Sequence, residues 1–190
     1  MYSYSARLPR TSLCRSICGH GSFVKPTSRP WRKFWTGPAA APAARYRLRL
    51  LSSPSGPTVI VVDASVVVVA LADDGEDGDL ARARLRGEQL SAPELLDLEV
   101  ASVLRRQARR GEIGSRRVAM TLDDLAALPV QRAPHRPLIG RCWQLRDNVT
   151  IYDAAYVALA EALGATLLTG DRRLAGAAGP RCRIELLTGA

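Results

Sequence analysis

The sequence from Thr58 onward predicts an α/β domain with a mainly parallel central sheet. Short runs of β-branched and aliphatic residues alternate there with longer segments of helical period, a pattern that is typical of consecutive βαβ units. The chain has 190 residues, of which 47% are hydrophobic and 24% are charged, as in globular proteins with a buried core. We therefore expect one domain over residues 58–190.

Each predicted element rests on a local pattern. Apolar, strand-forming runs predict strands at Thr58–Val62, Thr166–Thr169 and Arg183–Leu187. Apolar residues spaced three and four positions apart predict helices at Ser65–Ala72, Gly78–Gln89, Glu94–Arg109, Ser115–Ala127, Pro137–Leu145 and Tyr152–Leu163. A further short helix is expected after Asp171.

The residues that precede this domain form a basic leader. Residues 1–57 hold ten Arg and Lys side chains and no Asp or Glu, whereas the rest of the chain has 17 basic and 18 acidic side chains. The net charge of +9 therefore belongs to the leader, and the domain is nearly neutral. Its Ser-, Pro-, Arg- and Ala-rich composition predicts disorder. We interpret it as upstream sequence that precedes the true start, or alternatively as a targeting segment.

The cysteines and the hydropathy pattern indicate the compartment. Four cysteines, at positions 14, 18, 142 and 182, follow no paired spacing, which favours the reducing cytoplasm. No apolar run reaches the roughly 18 residues that a membrane span needs. We therefore expect a cytoplasmic protein without a membrane partner.

Two carboxylates are expected at the ends of predicted strands. Asp63 interrupts the longest apolar segment, "TVIVVDASVVVVALAD", and directly follows the first strand. Asp171 comes soon after the strand at Thr166–Thr169. The carboxyl ends of parallel strands are where open α/β sheets bind ligands, so both residues are candidate site residues. The alternative is that each is a helix cap or a turn residue.

Two more acids lie on predicted helices. Glu99 falls on the apolar stripe of "PELLDLEVASVLRR", so we expect it to point inward, with a buried ion pair to an Arg as the alternative. Glu94 and Asp97 lie off that stripe and are expected to face solvent. Asp153 opens the helix "YDAAYVALAEALG", where the alternative is a cap or a first-turn charge.

These four acids are able to meet at one edge of the sheet. Neighbouring carboxylates do not all stay ionised unless a cation neutralises them, and ligation by oxygen alone suits Mg²⁺ or Mn²⁺. A bound divalent cation that activates water and stabilises charge on phosphate oxygens is suited to phosphodiester hydrolysis. The acids therefore predict a metal-dependent hydrolase site.

Three segments resemble a known family. "VVDAS", "PELLDLEVASVL" and "IYDAAYVALAEALGATLLTGDRRL" resemble the PIN domain, and in particular the VapC-like ribonuclease toxins of VapBC-type toxin–antitoxin pairs. The similarity extends from Thr58 to about Leu187. Its most specific part is the 18-residue separation between Asp153 and Asp171, together with the Thr-x-Asp ending.

The resemblance implies a fold, a site and partners. It implies a three-layer α/β/α fold and a Mg²⁺- or Mn²⁺-dependent endoribonuclease that acts on RNA. The protein would form a homodimer and be neutralised by a cognate antitoxin that covers the acidic pocket. By position, the catalytic and metal-binding acids are Asp63, Glu99, Asp153 and Asp171, with Ser65 and Thr169 as positioning hydroxyls.

RNA would have to bind a nearly neutral domain through local basic patches. Arg172 and Arg173 adjoin Asp171 and are the better-placed candidates. A second group is either such a patch or a set of solvated helix faces, and it comprises Arg105, Arg106, Arg109, Arg110, Arg116 and Arg117.

Several other functions are weighed against a toxin nuclease. One is a non-toxin PIN-like nuclease, and another is a Mg²⁺-binding regulatory or binding module without cleavage. Phosphoryl transfer with Asp63 as nucleophile is disfavoured because position 65 is Ser, which breaks the Asp-x-Asp pattern. A signalling receiver is disfavoured because no Lys occurs after residue 57.

Overall fold

The computed structural model describes residues 59–188. The interpretation of residues 1–57 as a leader lies outside this range. All five strands are parallel and lie in the order β3-β2-β1-β4-β5. Helices flank the sheet on both faces, so the predicted three-layer α/β/α fold with its parallel sheet is confirmed.

The elements follow one another with short connections. The strands are β1 (Val59–Val62), β2 (Gln89–Pro93), β3 (Val130–Ala133), β4 (Thr166–Thr169) and β5 (Ile184–Leu186). The helices are α1 (Ala64–Ala72), α2 (Glu76–Leu85), α3 (Leu96–Arg109), α4 (Ser115–Ala127), α5 (Ile139–Gln144), α6 (Ile151–Leu163) and α7 (Arg172–Ala175). A single 3₁₀ turn, Arg136–Leu138, precedes α5.

The core lies around the central strand β1. Ile60, Val61 and Val62 are fully buried, because both faces of β1 are covered by helices and neither can carry a polar residue. Helix α1 packs against α2, α3 and α4. Helix α6 packs against α5 and against the strands β1, β2 and β4. Within residues 59–188, every helix falls short of the length and apolar character that a membrane span requires.

Two strands were missed in the sequence. Strand β2, "QLSAP", was assigned in part to the end of the predicted helix Gly78–Gln89, which in fact ends at Leu85. Strand β3, "VQRA", is absent from the strands that the sequence predicts. Neither has a run of β-branched residues, so local propensity does not reveal them. Both are strands because β2 pairs with β1 and β3 pairs with β2, which is a tertiary effect.

Arg132, at the third position of β3, joins α3 and α4. Its guanidinium donates to both carboxylate oxygens of Asp97 on α3. It also donates to the carbonyl oxygens of Leu125 and Leu128 at the end of α4. Asp97 was expected to face solvent, but it is instead the half-buried partner of this arginine. Glu94 is exposed, as expected.

Gly78 marks the closest approach between α2 and the preceding loop. A Cβ atom built at Gly78 would overlap the backbone carbonyl oxygen of Asp73. Backbone gives way less easily than a side chain, so we expect Gly78→Ala to lower the free energy of unfolding by about 2 kcal/mol. Urea denaturation measures this change. The matched control is Gly140→Ala on α5, where nothing lies within 4 Å of the added atom, and a similar loss in that variant would contradict the explanation.

Candidate active site

Asp63 lies at the carboxyl edge of the sheet, at the end of its central strand. Its backbone N–H donates to the carbonyl oxygen of Leu168 in the adjacent strand β4, over 3.0 Å. Asp63 occupies the residue before α1, but its side chain makes no capping hydrogen bond. The cap alternative therefore does not explain this nearly buried carboxylate.

Two hydroxyl groups hold the Asp63 carboxylate, one from the first turn of α1 and one from the end of β4. Ser65 Oγ donates to Asp63 Oδ2 over 2.8 Å, and Thr169 Oγ1 donates to the same oxygen over 2.7 Å. Each hydroxyl also accepts a backbone N–H, from Gly170 and from Asp171 respectively. The loop after β4 is thereby tied to the loop after β1, which fixes the orientation of the carboxylate.

Glu99 reaches the same region from α3. The hydroxyl of Tyr156 on α6 donates to Glu99 Oε2 over 2.6 Å. Glu99 has no ion pair within residues 59–188, so the alternative of a buried ion pair with an Arg is wrong. The expected inward orientation is observed, since the carboxyl lies half-buried against a tyrosine that is 1% exposed.

Asp153 and Asp171 stand at two helix starts. Thr150 caps α6 and exchanges hydrogen bonds with Asp153: Thr150 Oγ1 accepts the Asp153 N–H and donates to Asp153 Oδ2 over 2.7 Å. Asp153 is therefore a first-turn residue, not the cap. Asp171 is the cap of the short helix α7, where its Oδ1 accepts the N–H of Arg173 over 2.7 Å.

The four carboxylates share a pattern of hydrogen bonding. In each of them the hydrogen bonds from side chains, or for Asp171 from the backbone, fall on a single oxygen, which is Oδ2 of Asp63, Oε2 of Glu99, Oδ2 of Asp153 and Oδ1 of Asp171. Glu99 Oε1 accepts no hydrogen bond from residues 59–188 and is left for another ligand, whereas Asp63 and Asp153 each accept a further backbone hydrogen bond, from Ala64 and Thr150. This arrangement orients a carboxylate without using up its capacity to bind.

The acids interact electrostatically as one cluster. Burial raises the pKa of Glu99 to about 7, opposed by the Tyr156 hydrogen bond and reinforced by the negative charges of Asp63 and Asp153. Burial likewise raises the pKa of Asp153, opposed by Thr150 and reinforced by Asp63 and Asp171. Burial raises the pKa of Asp63, whose hydrogen bonds to Thr169, Ser65 and the Ala64 amide oppose the rise.

No cationic side chain in the described part of the chain compensates these charges. Other acids there have an arginine partner, as Asp97 has Arg132, Glu161 has Arg141 and Glu185 has Arg84. The four site acids take part in no ion pair within residues 59–188. Buried negative charge without a partner is unfavourable, and a bound cation is one remedy.

The donor set fits a hard divalent cation. All four acids offer oxygen, and none of the hydrogen-bonded neighbours is His or Cys, so Mg²⁺ or Mn²⁺ suits the site better than zinc. Over residues 59–188, however, no three His, Cys, Asp or Glu side chains are already arranged as a metal site. The acids form an electrostatic cluster and not a closed cage.

The candidate RNA-contacting arginines differ in their surroundings. Arg172 and Arg173 are exposed, on the helix that Asp171 caps. In the second group, Arg117 pairs with Asp74 over 2.7 Å and Arg110 lies 3.7 Å from Glu112. Arg110 and Arg117 therefore have structural partners, whereas Arg172 and Arg173 are exposed and directly follow Asp171 in the chain.

Comparison with known proteins identifies the family. The family model for the PIN domain matches residues 60–180, which include all four acids. The chain belongs to the PIN-domain family. Ribonuclease VapC1 of Mycobacterium tuberculosis is 50% identical to this PIN domain over 128 residues, 67% of this chain and 96% of the relative. VapC ribonuclease Mb0985 of Mycobacterium bovis is 42% identical over 129 residues, 68% of this chain and 98% of the relative.

A solved structure shows the same fold. VapBC2 from Rickettsia felis, bound to a DNA fragment from its promoter, superposes with a TM-score of 0.53 at 13% sequence identity. The match covers 68% of this chain and 98% of that one. This neighbour supports the fold, and the family match with the two ribonuclease relatives confirms the resemblance to VapC-like PIN-domain ribonucleases.

Sequence reasoning missed two polar residues of this PIN domain's acidic cluster. Neither Tyr156 nor Thr150 is among the candidate site residues that the sequence predicts. The available indication for Tyr156 was its position three residues after Asp153, which puts the two side chains on neighbouring parts of one helix face. For Thr150 it was the Thr-x-x-Asp spacing at a helix start.

Proposed function

We propose that the protein is a metal-dependent endoribonuclease that hydrolyses RNA phosphodiester bonds in the cytoplasm, as the toxin of a type II toxin–antitoxin pair. The observation that carries the proposal is the cluster of four carboxylates at the carboxyl edge of the sheet, which interact with one another and have no cationic partner among the described residues. The VapC ribonuclease relatives support the choice of RNA as substrate.

Asp63, Glu99, Asp153 and Asp171 would hold Mg²⁺ or Mn²⁺, and the bound cation would supply Lewis-acid stabilisation of charge on the phosphodiester oxygens and activate water. The protein's own contribution is orientation. Ser65 and Thr169 hold Oδ2 of Asp63, and Thr150 holds Oδ2 of Asp153, so neither carboxylate is free to rotate. Groups fixed in advance lose little entropy when substrate binds, which favours catalysis.

Arg172 and Arg173 are proposed to bind the RNA backbone. They are exposed and adjoin the acidic cluster, and arginine presents several donors to a phosphate group. Nearby positive charge is also needed because the acids by themselves repel a polyanion. Arg110 and Arg117 of the second group are not included, since both have acidic partners.

Two protein partners belong to the proposal. A cognate antitoxin would cover the acidic cluster, and a positively charged segment would complement it best. The assembly named for the Rickettsia felis neighbour supports such a partner. A homodimer is also proposed, supported by the exposed apolar side chains of Ile139 and Trp143, which are four residues apart on one face of α5.

Cleavage by the full chain tests this function. We expect induction of the gene without an antitoxin to arrest bacterial growth, and the purified protein to cleave RNA in Mn²⁺ or Mg²⁺. Removal of divalent cations with EDTA should stop cleavage, and added Mn²⁺ should restore it, because the carboxylates alone provide no Lewis acid. Cleavage that continues unchanged in EDTA would contradict metal dependence, and normal growth with soluble active protein would contradict the toxin role.

A further inference from the structure

Within residues 59–188, Tyr156 provides the one hydrogen bond that the side-chain carboxylate of Glu99 accepts. The hydroxyl lies 2.6 Å from Glu99 Oε2, a short contact of the kind made to a charged acceptor. Glu99 and Tyr156 are 57 residues apart in sequence and belong to different helices. The contact therefore exists only because the fold brings α3 and α6 together at the carboxyl edge of the sheet.

The tyrosine is held more firmly than the carboxylate that it binds. Its side chain is 1% exposed and belongs to the core, whereas Glu99 is half-buried. A ring packed on all sides has one rotamer available, so its hydroxyl is a fixed point. A tyrosine hydroxyl ordinarily ionises only at about pH 10, so at neutral pH it is the donor in this hydrogen bond.

The geometry also links two of the four acids. Asp153 and Tyr156 are three residues apart on α6 and therefore lie on neighbouring parts of one helix face. Tyr156 thus sets the position of Glu99 relative to Asp153. The hydrogen bond occupies Oε2 of Glu99 and leaves Oε1 without a hydrogen bond from residues 59–188.

From these contacts we infer that Tyr156 is a positioning residue, whose hydroxyl holds Glu99 in the orientation in which Oε1 binds the divalent cation. This inference rests on the proposed function. Tyr156 does not itself contact the cation or the RNA. Groups that hold metal ligands in place contribute about 10- to 100-fold to metal affinity or activity.

A simpler explanation is that Glu99 only satisfies the hydroxyl of a buried tyrosine. Buried tyrosine hydroxyls do require a partner. In that case loss of the hydroxyl would alter stability and leave cation affinity unchanged. The two explanations therefore differ in a quantity that can be measured directly.

The test is Mn²⁺ binding by the full chain, followed through the paramagnetic resonance signal of free Mn²⁺ up to millimolar concentrations. Tyr156→Phe removes the hydroxyl and keeps the ring. We expect it to raise the Kd for Mn²⁺ about 10- to 100-fold, and to lower kcat at subsaturating Mn²⁺ while the KM for RNA stays the same. Tyr152→Phe removes a hydroxyl from the same helix at a half-exposed position and should leave the Kd unchanged.

A second pair of variants tests whether the effect of Tyr156 on cation binding passes through Glu99. Glu99→Gln and the double variant Glu99→Gln/Tyr156→Phe should bind Mn²⁺ with the same weakened affinity, because the tyrosine then has no carboxylate to hold. An unchanged Kd in Tyr156→Phe, or a further tenfold loss in the double variant, would overturn the inference. Failure of the unaltered protein to bind Mn²⁺ at all would instead reject the proposed function.

Discussion

Asp63→Asn, Glu99→Gln and Asp153→Asn are each expected to lower the rate of RNA cleavage about 100-fold or more at fixed Mn²⁺. Each substitution keeps the shape of the side chain and removes one negative charge from the cluster. The expected loss is large because these negative charges would hold the cation, and no ion pair within residues 59–188 already neutralises them.

Asp97→Asn is the matched control for this series. Asp97 lies two residues before Glu99 on the same helix, but its carboxylate pairs with Arg132 and is not electrostatically coupled to the site. We expect this variant to keep its cleavage rate within a fewfold of the unaltered protein. Equal cleavage by all four variants would show that the acids have no part in the reaction, and circular dichroism establishes that each variant is folded.

The second large effect concerns stability. In the metal-free protein, Glu99→Gln is expected to raise the free energy of unfolding at pH 8 by about 2 to 3 kcal/mol. Burial raises the pKa of Glu99 from 4.5 to about 7, each pKa unit corresponds to about 1.4 kcal/mol, and solvent screening of the half-buried side chain removes part of that energy. The folded protein holds this proton more tightly than the unfolded chain. Stability therefore falls as the pH rises from about 4.5 through about 7, and the glutamine variant lacks this fall.

Urea denaturation at pH 5 and pH 8 in EDTA measures this difference. The unaltered protein should lose stability between the two pH values relative to Glu99→Gln. Glu94→Gln, at an exposed position just before the same helix, should show the same pH dependence as the unaltered protein. If Glu99→Gln instead destabilises the protein equally at both pH values, the carboxyl is not held in an unfavourable environment.

Much of the candidate site follows from local sequence. Asp63 and Asp171 come at or just after the ends of apolar runs that are recognisable as strands, and parallel strands place their carboxyl ends at one edge. Glu99 was assigned an inward orientation from helical period, and the structure agrees. In these cases a repeating local pattern and one general property of parallel sheets are sufficient.

Other features depend on contacts that local sequence does not specify. The tyrosine that holds Glu99 is 57 residues away, and the choice of partner depends on how α3 and α6 lie against each other. The same is true of Arg132, which takes Asp97 out of solvent from 35 residues away. Strands β2 and β3 lack strand-forming sequence; β2 forms through its pairing with β1, and β3 through its pairing with β2.

The proposed function requires that Asp63 and its neighbouring acids jointly bind a divalent cation. Its most direct test is a titration of the full chain with Mn²⁺, compared among the unaltered protein, Asp63→Asn and Asp97→Asn. We expect saturable binding by the unaltered protein and by Asp97→Asn, with a Kd at least about tenfold higher for Asp63→Asn. The same Kd for all three proteins would contradict it.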